Sequence, residues 1–166
     1  MQEYSKKSLL IMDILLSAFL VALDQLTKMQ AVRLLMGKPA ISLIPGVLEF
    51  CYLENTGAAF SILRNARWFF VIVAVVACIV IAALLLRIPR TVRMMPFHLC
   101  LVFILSGALG NLIDRLTLGI VRDFIYFSLI NFPVFNVADI YVTCATFVLI
   151  ILILFRYQEE DFHLGK

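Results

Sequence analysis

The chain has 166 residues, 63% of them hydrophobic and only 15% charged, with a mean hydropathy of +1.03 and a net charge of +3. Soluble domains run at about half apolar and a quarter charged, so this composition excludes a soluble globular protein and indicates an integral membrane one. The length suits one domain over residues 1–166, and the small net charge without a basic run excludes a nucleic-acid partner.

Four segments are long and apolar enough to span a bilayer. The first, residues 9–26, is interrupted by Asp13 and Asp24 and preceded by Lys6 and Lys7. A cleaved signal peptide is the alternative reading, but no small-x-small site follows and Asp13 sits in the would-be apolar core, so a retained helix is expected. A long loop, residues 29–67, comes next; the alternation in "GVLEFCYLENTG" predicts a short hairpin turned at or near Asn55–Gly57. Residues 68–86 form the second span, nineteen residues without a charge. At about 1.5 Å rise per residue this nearly matches a hydrocarbon core of roughly 30 Å. The third span covers residues 97–113 and the fourth residues 137–155. The four cysteines, Cys51, Cys78, Cys100 and Cys144, show no CxxC spacing, so neither a disulfide framework nor a zinc site is indicated.

Loop charge sets the orientation. The short connection "RIPRTVRMMP" holds Arg87, Arg90 and Arg93, which places it in the cytoplasm together with both termini. The loops 29–67 and 114–136 then lie outside. On that topology Asp24 and Lys28 close the first helix at its outer end, and Asn111, Asp114 and Arg115 close the third. Asn136 and Asp139 open the fourth helix, while Asn55 and Asp123 belong to the outer loops. Ionisable groups from distant segments gathered at one membrane face are the signature of a functional site.

Each group also has a plain structural account. Asn136 and Asp139 have the spacing of an N-cap and an acidic third helical residue. Asp24 and Lys28 are an i,i+4 pair in the favourable order, and Ser106 and Gly110 form a small-xxx-small packing pair. Arg115 snorkels to the interface in the same reading. Asp123, in "GIVRDFIYF", has no such explanation.

The chemistry available is narrow. His98 and His163 both lie on the cytoplasmic side, which argues against a Ser–His or Cys–His nucleophile. No ligand cluster suits a metal and no glycine-rich phosphate loop is present. A Ser–Lys pair from Lys28 or Lys38 with Ser42 or Ser61 has no distinguishing spacing. The remaining pair is Asp123 and Asp139. Two aspartates in a low-dielectric site share a proton, so one takes a proton from water while the other polarises a carbonyl.

The blocks "DQLTK" (24–28), "ENTGAAF" (54–60), "GALGNLIDR" (107–115), "RDFI" (122–125) and "FNVAD" (135–139) resemble, in order, the motifs of lipoprotein signal peptidase, the type II signal peptidase of bacteria. The resemblance spans all four helices. It implies an all-α integral membrane protein of four transmembrane helices with a small extracytoplasmic β-structured loop, in the bacterial cytoplasmic membrane. It implies an aspartyl endopeptidase, without cofactor or metal, that cuts diacylglyceryl-modified prolipoproteins just before the lipidated cysteine. Carried over by position, it implies Asp123 and Asp139 as the catalytic dyad and supporting roles for Asp24, Lys28, Asn55, Gly107, Asn111, Arg115 and Asn136. Departures from the pattern are Ser106, Arg122 and Ile140.

Several expectations follow. The first outer loop forms a small β-structure over the site, with Asn55 hydrogen-bonding the substrate backbone. Arg115 holds an aspartate or the loop carbonyls, the aromatic stretch "DFIYFSLINFPVF" lies at the interface, and Arg122 points to lipid headgroups. Substrate and membrane lipids are the partners, and a monomer suffices. The rival readings are a small transporter with intramembrane aspartates and a non-enzymatic assembly protein.

Overall fold

The computed structural model describes residues 4–57 and 66–162. Four helices, α1 (Lys6–Leu35), α2 (Arg67–Arg87), α3 (Met95–Thr117) and α4 (Val137–Phe155), are each long and apolar enough to cross a membrane. Three strands, β1 (Ile41–Ile44), β2 (Leu48–Asn55) and β3 (Val121–Phe127), form one antiparallel sheet in the order β1–β2–β3. The expected architecture of four spans with a small β-structure is the one observed.

Sequence pattern decides which helix is central. α3 carries the least apolar of the four spans and is the most buried, packing against α1, α2 and α4. α2, the most apolar, buries only Val71 and Leu85 fully and leaves Trp68, Ile72 and Ile79 exposed. In lipid an outward leucine costs nothing, so the polar and small residues collect inside. The core between the helices contains Leu20, Leu101, Val102 and Tyr141, closed at the far end by Met94, Phe97 and Tyr157.

Two boundaries differ from expectation. α1 runs to Leu35 rather than ending near residue 26, so Asp24 and Lys28 sit inside a 30-residue helix and not at its end. Its extra turns are held by Ala31 and Leu35, which pack against Phe124 of β3, and the helix stops where Gly37 adopts a φ of 70°. The hairpin turn is also displaced. It falls at 45–47, where Gly46 has a φ of 71° that a side chain would strain, and the alternating stretch is the single strand β2. Asn55 and Gly57 lie where β2 ends. The third strand lies where a loop is expected: Asp123 lies in β3, paired with Leu53 of β2, between a turn at 118–120 and the connection from Ser128 to Asn136.

Close approach between helices rests on glycines. A Cβ at Gly107 would stand 2.5 Å from the Ala138 carbonyl oxygen and 2.7 Å from Val142 Cγ2 of α4. Gly110 is likewise pressed against Asp24 of α1, at 2.5 Å from a would-be Cβ to Oδ2. Ser106 is spent within its own helix, its hydroxyl donating to the Val102 carbonyl at 2.7 Å. Gly107→Ala must push α4 from α3, and we expect a loss of about 1–3 kcal/mol, typical of overpacking. Thermal unfolding of the detergent-solubilised variant checks it; an unchanged midpoint contradicts the contact.

Candidate active site

A lysine in the middle of an apolar helix must find acids. Lys28, fully buried, lies 2.9 Å from Asp24 and 3.6 Å from Asp114, and donates to Asn111 Oδ1 at 2.9 Å. Asp114, also fully buried, is gripped from its other side by Arg122, whose Nε and main-chain N each donate at 3.1 Å. Arg122 therefore turns inward, and the expectation that it faces headgroups is wrong. Strand alternation explains both this and why it does not neutralise Asp123: neighbours in β3 point to opposite faces. Gln25 completes this cluster, donating to Asp24, Asp114 and the Gly110 carbonyl and accepting from Arg122 at 2.8 Å. Two acids and two bases balance one another there.

Asp24 has a second task. Its Oδ1 accepts the Ala138 amide at 3.0 Å, so an α1 carboxylate satisfies one of the open N–H groups of α4. The start of α4 carries a full capping box, in which Asn136 accepts the Asp139 amide and Asp139 Oδ2 accepts the Asn136 amide, each at 3.1 Å.

Asp123 and Asp139 meet through this cap. Asn136, fully buried, donates from Nδ2 to Asp123 Oδ1 at 2.7 Å and to Asn111 Oδ1 at 3.1 Å. Asn111 donates in turn to Asp139 Oδ1 at 2.8 Å. On the far side Asp123 Oδ2 accepts from Asn55 Nδ2 at 2.9 Å, while Asn55 Oδ1 accepts the Gly57 amide at 2.9 Å. Asn55 thus holds Asp123 and the loop from the edge of the site. Arg115 reaches the Gly57 carbonyl at 3.4 Å and lies 5.2 Å from the Phe70 ring centre, as expected of a residue holding loop carbonyls.

Asp123 is 1% exposed. Its burial, followed by the charge of Asp139, pushes its carboxyl up to about 7, against the smaller opposing effects of the Asn55 and Asn136 hydrogen bonds and of Lys28. An acid that stays half protonated near neutrality is suited to proton transfer.

The sequence matches the family described as Signal peptidase (SPase) II over residues 16–155. The chain belongs to that family. The lipoprotein signal peptidase of Streptococcus thermophilus is 41% identical over 144 residues, covering 87% of this chain and 92% of that protein. The lipoprotein signal peptidase of Streptococcus pyogenes serotype M5 is 40% identical, covering 95% and 98%. A bacterial membrane enzyme solved by the in meso method at 1.9 Å resolution superposes with a TM-score of 0.75 at 31% identity, covering 89% and 94%. Membership of the family makes the chain an enzyme that removes signal peptides from prolipoproteins, so the transporter and assembly readings fall away.

All nine site residues expected from the sequence lie in or beside one polar cluster. Gly107 serves it indirectly, by letting α4 approach. Gln25 is not singled out by the sequence, Asp114 is expected at the outer face without a role in the site, and Arg122 is expected to face outward. Gln25 and Asp114 stand inside the quoted motifs, and the available signal is Lys28, whose charge within a spanning helix calls for more carboxylate than Asp24 alone; for Arg122 the sequence holds no such signal. The Ser–Lys alternative finds no geometry among the described residues: Lys28 is engaged as above, and Lys38 donates to the Arg33 carbonyl at 3.4 Å. Ser61 and His163 lie outside the described residues.

The raised carboxyl of Asp123 carries a stability consequence. A group whose native pKa exceeds its ordinary 3.8 binds its proton more tightly when folded. Its ionisation therefore costs native stability as pH climbs from about 4 through 7, by several kcal/mol once complete. Asp123→Asn removes that titration. We expect the variant to melt higher than the parent at pH 8 and the difference to shrink toward pH 5; the same gap at both pH values rules the shift out.

Proposed function

We propose that Asp123 and Asp139 are a proton-sharing dyad that hydrolyses the peptide bond preceding the diacylglyceryl cysteine of a prolipoprotein. The observation that carries this is that one buried carboxamide, Asn136, hydrogen-bonds Asp123 through its side chain and Asp139 through its main chain. The two acids therefore share one rigid support, and the charge of Asp139 helps keep a proton on Asp123.

In the proposed reaction the ionised member of the pair takes a proton from water as the water oxygen bonds to the scissile carbonyl carbon. The protonated member donates to the carbonyl oxygen, which would otherwise become an alkoxide. Collapse of the tetrahedral intermediate breaks the C–N bond: the aspartate that took the water proton gives it to the leaving amine of the lipidated cysteine, and a hydroxyl proton of the intermediate returns to the other aspartate. Asn111 and Asn136 supply fixed dipoles to the carboxylates, and the Asp24–Lys28–Asp114–Arg122 cluster holds the helices that carry them. Neither a metal nor a cofactor enters this scheme.

The basic connection between α2 and α3 supports an orientation with both termini in the cytoplasm and this site at the outer interface of the inner membrane. A substrate whose lipid chains remain in the bilayer presents its scissile bond at that depth. The protein acts as a monomer in this reading, since the dyad and its supports come from a single chain.

Cleavage of a diacylglyceryl-modified precursor in detergent tests the dyad. Asp123→Asn and Asp139→Asn should each lower kcat by about 10²–10⁴-fold, the range that a general acid or base contributes. The double variant should be no worse than either single one, because the two act as a unit. The parent profile against pH should be bell-shaped. Since Asn is as good a cap as Asp, near-normal turnover by folded Asp139→Asn reduces that residue to a helix cap. Asp24→Asn should lose activity only in part.

Orientation has its own test. Cys51, on β2, should react with a membrane-impermeant thiol reagent in intact cells, whereas Cys78, Cys100 and Cys144, on the spans, should not. A reporter fused at the C-terminus should read cytoplasmic. Labelling of Cys51 only after permeabilisation, with an external reporter, reverses the topology.

A further inference from the structure

The end of the bundle opposite the dyad holds a cleft that the peptidase reaction does not use. It encloses about 340 Å³ between α1, α2 and α3 and is walled by apolar residues including Leu9, Ile14, Leu85 and Leu105. That volume is in the range of small-molecule sites. Two cations, Lys6 and Arg90, line the same cleft. They are brought together because the Tyr4 amide donates to the Arg90 carbonyl at 2.9 Å, tying the start of α1 to the connection after α2. Arg90 spends only one donor locally, on the Leu86 carbonyl at 3.0 Å. Its other N–H groups are free among the described contacts.

Deeper in, the lining turns polar again. His98 is 1% exposed and Asp13 8% exposed, and His98 Nδ1 stands 3.6 Å from Asp13 Oδ2, too far for a hydrogen bond. Among the described residues Asp13 Oδ1 has no hydrogen-bond partner, and the His98 ring has at best a poorly aligned contact with the Ile88 main chain, which leaves its other nitrogen unmet. Buried polar groups without partners are costly, and in a membrane protein they mark function. A purely hydrocarbon occupant leaves them orphaned.

We propose that this cleft binds one anionic phospholipid of the inner leaflet, its phosphate on Lys6 and Arg90 and one acyl chain between α1 and α2. Charge complementarity selects the headgroup: basic pockets between helices on the cytoplasmic side suit anionic lipids, and each basic residue near the surface contributes on its own. The glycerol backbone selects a lipid over a free phosphate, because its ester oxygens reach below the headgroup and accept from His98. Asp13 lies seven residues, about two turns, further along α1 than Lys6, so its repulsion of the phosphate is weaker than the attraction of the two nearer cations. The site rests on the proposed orientation, which puts this end in the cytoplasmic leaflet.

Native mass spectrometry of the full chain released from detergent, with phosphatidylglycerol or phosphatidylcholine of equal chain length added, reads the binding directly. A single phosphatidylglycerol adduct should exceed the phosphatidylcholine adduct by about tenfold or more, the preference that two cations at an anionic headgroup give. The double variant Lys6→Ala, Arg90→Ala should fall to the phosphatidylcholine level. Arg33→Ala with Lys38→Ala, the same charge removed beyond the other end, should keep the parent's preference. Ala82→Phe, which fills the cleft from α2 without touching either cation, should lower retention of both lipids. Equal retention of the two lipids by the parent, an undiminished adduct in the first double variant or in Ala82→Phe, or an equal loss in the second double variant overturns the site. Binding is read without substrate, so its failure leaves the dyad standing, and inactive dyad variants should retain the lipid.

Discussion

Everything in this molecule depends on a lysine that has nowhere to go. Lys28 sits in the interior of α1 with no exposed surface. An unpaired charge on a spanning helix costs up to about 2.5–3.5 kcal/mol even on lenient scales, the figure for the bilayer centre. Asp24 and Asp114 answer it, and Arg122 answers the second acid, so α1, α3 and β3 are stitched at one depth. Removing one partner from such a buried set leaves a bare charge, at a cost of about 3–5 kcal/mol. The cluster thereby fixes the helices in register. It also leaves Asp123 and Asp139 as carboxyls outside the balanced set, held by carboxamides instead of cations. That division of labour separates the groups that hold the fold from the groups that can exchange protons.

β3 is where the two jobs touch. Adjacent residues of one strand, Arg122 and Asp123, face opposite ways, one into the ion cluster and the other toward Asn55 and Asn136. A slip of one residue would exchange them. The register with β2, Leu53 opposite Asp123 and Glu54 opposite Arg122, guards against that, as does Phe124 packed on Ala31 and Leu35. The sheet is thus a positioning device more than a cover.

Much of this was legible in the chain before any coordinates. Spans two and four read correctly because their only signal, an uninterrupted apolar run, is the one lipid demands. α1 was cut short because its apolar run ends near Leu26, whereas its last turns are held by contacts with a sheet that composition does not announce. β3 was missed for the same reason: its pairing partner lies more than sixty residues upstream, and strand pairing at that range leaves no local mark. The gathering of polar residues at one face was legible, since each had to avoid hydrocarbon. The partners were not. Nothing adjacent to Arg122 says that it turns toward Asp114, because only the sheet register decides the face.

The hydrogen bond from the Ala138 amide to Asp24 links the first helix to be made with the last. Helices inserted one at a time can hold the Lys28 pairings with Asp24 and Asp114 as soon as α3 arrives. Asp139, however, gains its neighbours only when α4 docks beneath that carboxylate. On the proposed mechanism a half-synthesised chain therefore carries no hydrolytic centre at all.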